Sequence, residues 1–267
     1  MTAEAIPQTP GKIWFVGAGP GDPELITVKG QKLLAQAGAV LFAGSLVDRA
    51  ATLYAPEGCA IRDSKDMTLE EMTAWLIDQA SRHATVVRLQ TGDPGLYGAL
   101  IEMARPLRDA GIEWAVVPGV SSAMASMAAA GESMTLPEVT QTVILTRVEG
   151  RTPMPEGEDL ASLAAHRTTI CIFLSITLMH KVEKALREAG WPEDSPMLVV
   201  HKASWPGEQK ILRGTLADIK ARCREAGVAS QAMIVASPTL GALHWETLVR
   251  SKLYDPTFTH RFRKASA

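Results

Sequence analysis

The chain has 267 residues, of which 46% are hydrophobic and 21% are charged, and its formal net charge at pH 7 is −2. A chain of this length and composition is globular and forms either one large domain or two domains of ordinary size. The small net charge supplies no broad attraction for nucleic acid or for an anionic membrane, so neither is an expected partner.

The cysteine and histidine patterns exclude the common metal and disulfide frameworks. The three cysteines (Cys59, Cys171 and Cys223) lie far apart, and the six histidines are dispersed without ligand spacing. This arrangement favours a reducing, cytoplasmic environment and predicts no bound metal. The segment 1–11 contains prolines and an acidic residue, whereas a signal peptide has a basic segment followed by an apolar one. No apolar run in the sequence reaches the length of a membrane span.

The first half of the chain alternates predicted strands and helices. Thr68, followed three residues later by Glu71, has the pattern of a capping box and indicates one helix start. Thr27 is a candidate N-cap for an earlier helix, and Gly38 is a candidate stop for it. Apolar periodicity predicts strands at 13–16, 39–42, 60–62, 85–89 and 114–117, and helices at 25–37, 69–81, 99–110 and 123–130.

The second half continues the α/β pattern less regularly, with a turn at 205–207 separating two strands. Its predicted strands are 142–146, 169–174, 197–201, 209–214, 231–235 and an edge strand near 243–248, and its helices are 160–165, 178–189 and 216–225. The sequence therefore predicts an α/β protein of two lobes, the first built on a mostly parallel sheet and the second on a mixed sheet. The predicted division is an N-terminal lobe at 1–120, a connector at 121–137, a C-terminal lobe at 138–249 and a basic tail at 250–267.

Three loops that contain glycine follow predicted strands, at 17–23, 90–98 and 118–122. Because the carboxyl ends of parallel strands meet at one edge of a sheet, we expect these loops to converge around a ligand crevice. The first loop lacks the third glycine of a dinucleotide fingerprint. Pro20 removes an amide donor from it, and Asp22 would repel a pyrophosphate. These residues favour a ligand without phosphate groups.

Several catalytic signatures are missing from the sequence, among them the phosphate-binding GxxxxGK[ST] loop, the GxSxG elbow and the HExxH pair. What remains is a set of polar loops suited to holding a ligand through main-chain groups. Asp93 is equally consistent with capping the helix that follows and with direct ligand contact. Asp22 and Tyr97 are better candidates for function, because tight turns would point both side chains into the crevice.

The three loops together resemble the signature set of the tetrapyrrole methyltransferase family. The resemblance covers 17–23 with Leu25 and Thr27, then 91–94 with 97–98, then 117–122, in order and spacing over almost the entire chain. Members of that family are cytoplasmic homodimers of two α/β lobes, with S-adenosylmethionine held in the cleft between the lobes. The resemblance implies the same architecture, cofactor, dimer and active-site cleft here.

Within the family, four stretches resemble the branch that methylates carbon 11 of precorrin-4 to give precorrin-5 in cobalamin synthesis. These stretches are 43–47, 63–64, 136–142 and 146–153. The implied reaction is an in-line displacement in which an electron-rich ring carbon of the tetrapyrrole takes the methyl group from a sulfonium. The implied partner is therefore a small-molecule tetrapyrrole.

The family pattern and the chemistry of the substrate together nominate the site residues. The implied cofactor contacts are Pro20, Gly92, Asp93, Pro94, Tyr97, Ser121, Ser122, Leu174, Ala203 and Ala232. The nominated substrate contacts are Asp22, Ser45, Arg49, Arg88, Arg147 and Arg151. The arginines are nominated because guanidinium groups bind carboxylates through paired hydrogen bonds and a precorrin carries many carboxylates, although each also fits a surface salt bridge. A side-chain base is needed only for the ring proton, and Asp22 and Tyr97 are the catalytic candidates.

Two other readings of the sequence stay open at this point. Relatives with such a cleft act on RNA or on protein side chains, although the absence of a basic excess argues against RNA. The second alternative is a nucleotide-binding or regulatory module built on a doubly wound sheet. Binding of S-adenosylhomocysteine, with no response to NAD or ATP, separates the module from the methyltransferases.

Overall fold

Five strands of the first half form one sheet in which every neighbouring pair is parallel. The computed structural model describes residues 10–47, 49–247 and 250–265. The strands are β1 (Lys12–Gly17), β2 (Ala39–Phe42), β3 (Ala60–Asp63), β4 (Thr85–Gln90) and β5 (Trp114–Val117), in the order β3-β2-β4-β1-β5. The central strands β1, β2 and β4 are almost wholly buried, as strands covered on both faces must be.

Four helices accompany this sheet: α1 (Val28–Leu34), α2 (Leu69–Ala80), α3 (Leu100–Asp109) and α4 (Ser122–Ala130). The capping box at α2 is confirmed, since Thr68 and Glu71 each accept a hydrogen bond from the other's backbone amide. The helix predicted from residue 25 begins only at Val28. Thr27 is extended and its hydroxyl accepts the amide of Gly30 at 3.1 Å, so the chain from Pro23 to Leu25 forms a separate 3-10 turn.

Alternate residues of β1 serve two cores on opposite faces of the first sheet. Ile13 and Phe15 are fully buried with Leu76 of α2 and Leu107 of α3. Val16 belongs to the other cluster, which includes side chains of α1. The period of two along the strand therefore places helices on both faces of the sheet.

A second sheet carries five strands of mixed direction. They are β6 (Val143–Arg147), β7 (Thr169–Phe173), β8 (Pro196–His201), β9 (Lys210–Thr215) and β10 (Ala232–Ala236), in the order β6-β7-β10-β8-β9. Only β6 and β7 pair in parallel, and the other three pairs are antiparallel. The helices α5 (Leu160–Ala164), α6 (Met179–Glu188) and α7 (Ile219–Glu225) bury Leu160, Leu186 and Ile219 against this sheet's core.

The predicted edge strand near 243–248 is wrong for residues 243–247, and residue 248 lies outside the described residues. Ala242–His244 forms a 3-10 turn that follows Gly241, whose φ is +80°. The preceding strand, β10, is paired on both sides with β7 and β8. The chain that follows β10 therefore cannot pair with β10, and its described apolar residues form no strand.

The chain packs into two compact units. The first holds the described residues up to Ala125 together with Lys202–Glu208, and the second holds Ser126–His201 with the described residues from Gln209 onward. The short segment Lys202–Glu208 lies in sequence between β8 and β9, yet it packs with the first unit. Within the described ranges, no helix has the length and apolar character needed to cross a bilayer.

Candidate active site

The three glycine loops meet at the carboxyl ends of β1, β4 and β5, as predicted. Gly19 and Gly92 form an antiparallel bridge in which the amide of Gly92 donates to the carbonyl of Gly19 at 2.8 Å. The amide of Gly119 donates to Oδ2 of Asp93 at 2.9 Å. Each loop is thus bonded to another through groups of the main chain or a single short side chain.

Close approach of backbones explains the glycines at the centre of this junction. A Cβ on Gly119 would lie well under 3.0 Å from the carbonyl oxygen of Gly92 and at 2.7 Å from Cα of Gly17. The obstacles are backbone atoms, which cannot rotate away as a side-chain tip can. Glycine is required here for packing of loop on loop, and not for cradling a phosphate.

Asp93 does not cap the helix that follows it, contrary to one of the two interpretations of the sequence. Helix α3 begins at Leu100, and its N-cap residue is Ala99, six residues after Asp93 in the sequence. The Asp93 carboxylate instead accepts the amides of Gly95 at 2.8 Å and Gly119 at 2.9 Å. It therefore ties the second loop to the third.

Trp205 is a site residue that the sequence interpretation missed. Its indole Nε1 donates to the carbonyl of Pro20 at 3.0 Å, and its ring lies directly against Gly21. The neighbouring Ser204 accepts the amide of Asp22 at 3.0 Å. The sequence indicated only a turn at 205–207. A tryptophan beside proline and glycine in a loop was the available signal, but nothing local says which distant loop it contacts.

The segment that carries Trp205 also brings one nominated cofactor residue to the first loop. Ala203 is 6% exposed and stands between two residues with positive φ, Lys202 at +46° and Ser204 at +69°. Nζ of Lys202 lies 4.6 Å from the centre of the Trp205 ring. Ala203 therefore belongs to the segment whose Ser204 and Trp205 bond to the first loop.

Asp22 and Tyr97 both sit in tight turns, as expected from the sequence. Oδ1 of Asp22 accepts the amide of Glu24 at 2.9 Å and so caps the 3-10 turn that follows. Tyr97 has a φ of +55° and is 48% exposed. At the third loop, Ser121 is buried, its Oγ accepts the amide of Ala123 at 3.3 Å, and the next residue, Ser122, opens α4.

A cavity of about 340 Å³ opens beside β2 and β3 in the first unit. Its lining includes Phe42, Val47, Arg49, Ile61, Asp63 and Trp205. The nominated substrate residue Arg49 is therefore close to the tryptophan that contacts the glycine loop. Ser45, a second nominated residue, is exposed in the turn after β2.

Arg88 lies inside the first sheet, with 5% of its surface exposed. Its guanidinium donates to Oγ of Ser64 at 2.9 Å and to the carbonyl of Leu41 at 3.4 Å. Burial lowers the pKa of Arg88 to about 10, and the nearby charge of Asp63 acts in the opposite direction. These contacts favour a positioning role for Arg88, and its contact with a substrate stays a prediction.

The remaining nominated residues belong to the second unit. Arg147 ends β6 and donates to two carbonyls of its own following loop, those of Thr152 at 3.2 Å and Pro153 at 2.7 Å. Arg151 is exposed in that same loop. Leu174 follows β7 with a φ of +53° and is 58% exposed, and Ala232 opens β10.

Two buried thiols and the potential metal ligands of the described residues are further candidates for a chemical centre. Burial raises the pKa of Cys171 to about 12 and that of Cys223 to about 11, so neither is a thiolate at neutral pH. Across the described ranges, no three His, Cys, Asp or Glu side chains are grouped so that they could hold a metal ion. The site therefore consists of backbone-lined loops, an aromatic ring and a few charged groups.

A family model of the tetrapyrrole (corrin/porphyrin) methylases matches residues 12–220. The chain belongs to this family. This methylase is 49% identical over 253 residues to the cobalt-precorrin-4 C(11)-methyltransferase of Priestia megaterium, with 95% of this chain and 98% of that relative covered. It is 42% identical to the precorrin-4 C(11)-methyltransferase of Pseudomonas aeruginosa, with 94% and 98% covered.

A solved structure agrees with the fold. The X-ray structure of a cobalamin biosynthetic enzyme, cobalt precorrin-4 methyltransferase, matches this methylase with a TM-score of 0.82 and 49% identity, covering 85% of this chain and 94% of the other. The predicted family and the predicted α/β fold, with one parallel and one mixed sheet, are both confirmed.

Proposed function

We propose that this methylase transfers a methyl group from S-adenosylmethionine to carbon 11 of precorrin-4, giving precorrin-5 in cobalamin biosynthesis. The observation that carries the proposal is the likeness to precorrin-4 C(11)-methyltransferases over nearly the whole length of both chains. The first loop supports it, since Pro20 removes an amide donor and Asp22 would repel a phosphate group. S-adenosylmethionine carries no phosphate and suits such a site.

The reaction moves the methyl group from the sulfonium sulfur to a ring carbon. The carbon–sulfur bond breaks as the new carbon–carbon bond forms, and the sulfonium becomes a neutral thioether. The tetrapyrrole supplies the electron pair, so the protein's main task is alignment, which contributes about 7–11 kcal/mol when the reacting atoms are well oriented. Rigid loops joined by backbone hydrogen bonds are suited to that task.

We propose that the junction of the glycine loops holds the cofactor. The contacts proposed are Pro20, Gly92, Asp93, Pro94, Tyr97, Ser121, Ser122, Leu174, Ala203 and Ala232. Support comes from the hydrogen bonds that join the loops of Pro20, Asp93 and the serine pair to one another or to the Trp205 segment. The proposed substrate contacts are Asp22, Ser45, Arg49, Arg88, Arg147 and Arg151, and Arg88 also donates to Ser64.

The proton that the ring loses after methylation needs an acceptor, and Asp22 and Tyr97 remain the proposed candidates. Asp22 uses Oδ1 for its turn, and the half-exposed ring of Tyr97 sits in a turn of the second loop. Replacing Asp22 by alanine is expected to reduce turnover more than cofactor binding. Equal loss of both would contradict the proposed role.

Two assays test the function directly. Isothermal calorimetry should show micromolar binding of S-adenosylhomocysteine and no response to NAD or ATP. Incubation with methyl-labelled S-adenosylmethionine and precorrin-4, in metal-free and cobalt forms, should place the label in the tetrapyrrole. Cofactor binding with no label in either form would refute the proposed reaction while leaving the family intact.

The resemblance also proposes a homodimer in the cytoplasm. Light scattering coupled to gel filtration at micromolar concentration should give about twice the chain mass of 28.7 kDa. A monomer at the concentrations used for the activity assay would contradict the dimer without affecting the proposed chemistry.

A further inference from the structure

One charged group in the 340 Å³ cavity has no assigned role. The cavity is lined by apolar residues together with Trp205, Arg49 and Asp63. A flat ring with apolar faces and a charged rim fits such a mixture. The carboxylate is the feature that a polycarboxylate ligand does not by itself explain, since like charges repel.

The Asp63 carboxylate is held in a fixed orientation. Oδ1 accepts the backbone amide of Gly44 at 2.9 Å and that of Lys65 at 2.9 Å. Oδ2 accepts no hydrogen bond from any residue that the structure describes. One oxygen therefore anchors the side chain on the loop, the other keeps its capacity to accept a hydrogen bond, and Asp63 is one of the residues that line the cavity.

Glycine at position 44 makes room for this carboxylate. A Cβ on Gly44 would lie well under 3.0 Å from Oδ2 and at 2.5 Å from Oδ1 of Asp63. Gly44 has no positive φ, so glycine is needed at this position because a side chain would not fit, and not because of the backbone conformation. The turn after β2 is thus shaped around the carboxylate at the end of β3.

The buried guanidinium of Arg88 supports the same end of the sheet. It donates to Oγ of Ser64, the residue that follows Asp63, and Ser64 in turn donates to the carbonyl of Phe42 at 3.1 Å. Asp63 and Arg88 also interact through their charges. The position of the Asp63 carboxylate is therefore fixed by the Arg88–Ser64 hydrogen bond as well as by the turn after β2.

A carboxylate oxygen accepts hydrogen bonds or binds a cation, and it repels other carboxylates. A precorrin has a rim of carboxylates around an electropositive centre, which is its set of N–H groups or, in the cobalt form, the metal ion. We propose that Asp63 binds this electropositive centre through Oδ2 while Arg49 takes a carboxylate of the rim. Asp63 at the centre of the ring and Arg49 at one point of its rim then together limit how the ring lies in the cavity. This inference rests on the proposed function.

The test is Asp63→Asn, which keeps an acceptor for the two backbone amides and removes the charge that faces the cavity. We expect the KM for the tetrapyrrole to rise at least tenfold and the Kd of S-adenosylhomocysteine to change less than twofold. Asp66→Asn is the matched control, because Asp66 is exposed in the same loop and does not line the cavity. It should leave both constants unchanged.

A double-variant cycle separates the carboxylate from general damage to the turn. Gly44→Ala should raise the KM much as Asp63→Asn does, since the added methyl group displaces the carboxylate. Adding Gly44→Ala to Asp63→Ala should raise it less than twofold further, because the obstructed group is gone. If Gly44→Ala raised the KM of the Asp63→Ala variant by the same factor as it raises that of the wild type, the two effects would be independent and the inference would be overturned.

Running the assay with metal-free and cobalt-containing precorrin-4 identifies the group bound. An effect of Asp63→Asn on the metal-free ring alone assigns the N–H groups, and an effect on the cobalt ring alone assigns the metal. No effect on either ring, with the wild-type protein active, would overturn the inference and leave the function standing. A wild-type protein that binds neither ring would overturn both.

Discussion

The substitution Gly119→Ala is the sharpest test of the loop junction. The added Cβ would meet the Gly92 carbonyl oxygen, Cα of Gly17 and the Gly17 carbonyl carbon, all within 3.0 Å. No side-chain rotation relieves these contacts, so the loops must separate. The separation would also stretch the hydrogen bond between the Gly119 amide and the Asp93 carboxylate.

The structure allows a rough magnitude for this change. Overpacking a well-packed interior costs about 1–3 kcal/mol, and the upper part of that range applies because the obstacles are backbone. Loss of a hydrogen bond to a charged acceptor adds about 1.5 kcal/mol or more. A total near 4 kcal/mol lowers the melting temperature by about 8–16 °C for a chain of this size.

Differential scanning calorimetry of the unliganded protein, followed by titration with S-adenosylhomocysteine, measures both consequences. We expect cofactor affinity to fall at least tenfold, because three loops of the proposed cofactor site move together. Gly150→Ala is the matched control, since its added methyl group meets only the flexible tip of Leu178 at 3.2 Å. A Gly119→Ala protein that melts within 2 °C of wild type and binds the ligand within twofold would refute the close packing of the three loops.

Three further changes address separate parts of the molecule. Trp205→Phe removes the indole donor to the first loop, and we expect a loss of about 0.5–1.5 kcal/mol in urea unfolding with a several-fold weaker Kd for S-adenosylhomocysteine; unchanged cofactor affinity would argue against a role in the site. Thr68→Ala removes the cap of α2 and should cost about 1 kcal/mol in the same unfolding assay, with no change in cofactor binding. The hydrogen bond from Arg187 lowers the pKa of Glu193 below its ordinary 4.5, so the pair stabilises the fold above that pH and the effect disappears as the pH falls through the lowered pKa. Melting temperatures of wild type and Glu193→Gln should therefore differ at pH 7 and converge in acid, and a constant difference would contradict the linkage.

Local patterns were sufficient for most elements of the fold. The strand β5 and the start of α2 were predicted to the residue, because apolar runs and a capping box are short-range signals. The edge strand near 243–248 failed for the described residues. Whether an apolar segment pairs depends on a free edge beside it, and that edge is set by the order of strands in the sheet.

The loops show the same division between local and distant causes. The sequence identified Asp93 as important but left its partner open, and the structure supplies Gly119, 26 residues along the chain. Trp205 escaped notice because its partner, Pro20, lies 185 residues away. Residue spacing carries no information about contacts of that separation.

The sequence by itself determined the fold class, the three glycine loops and the family, since propensity, period and motif spacing are properties of neighbouring residues. Only the tertiary structure decided that Gly119 is needed for backbone packing, that the buried Arg88 donates to Ser64 and that Asp63 lines a cavity with Arg49 and Trp205. These facts depend on how segments far apart in the chain share space, and steric exclusion among them acts only once the sheet has brought their ends together.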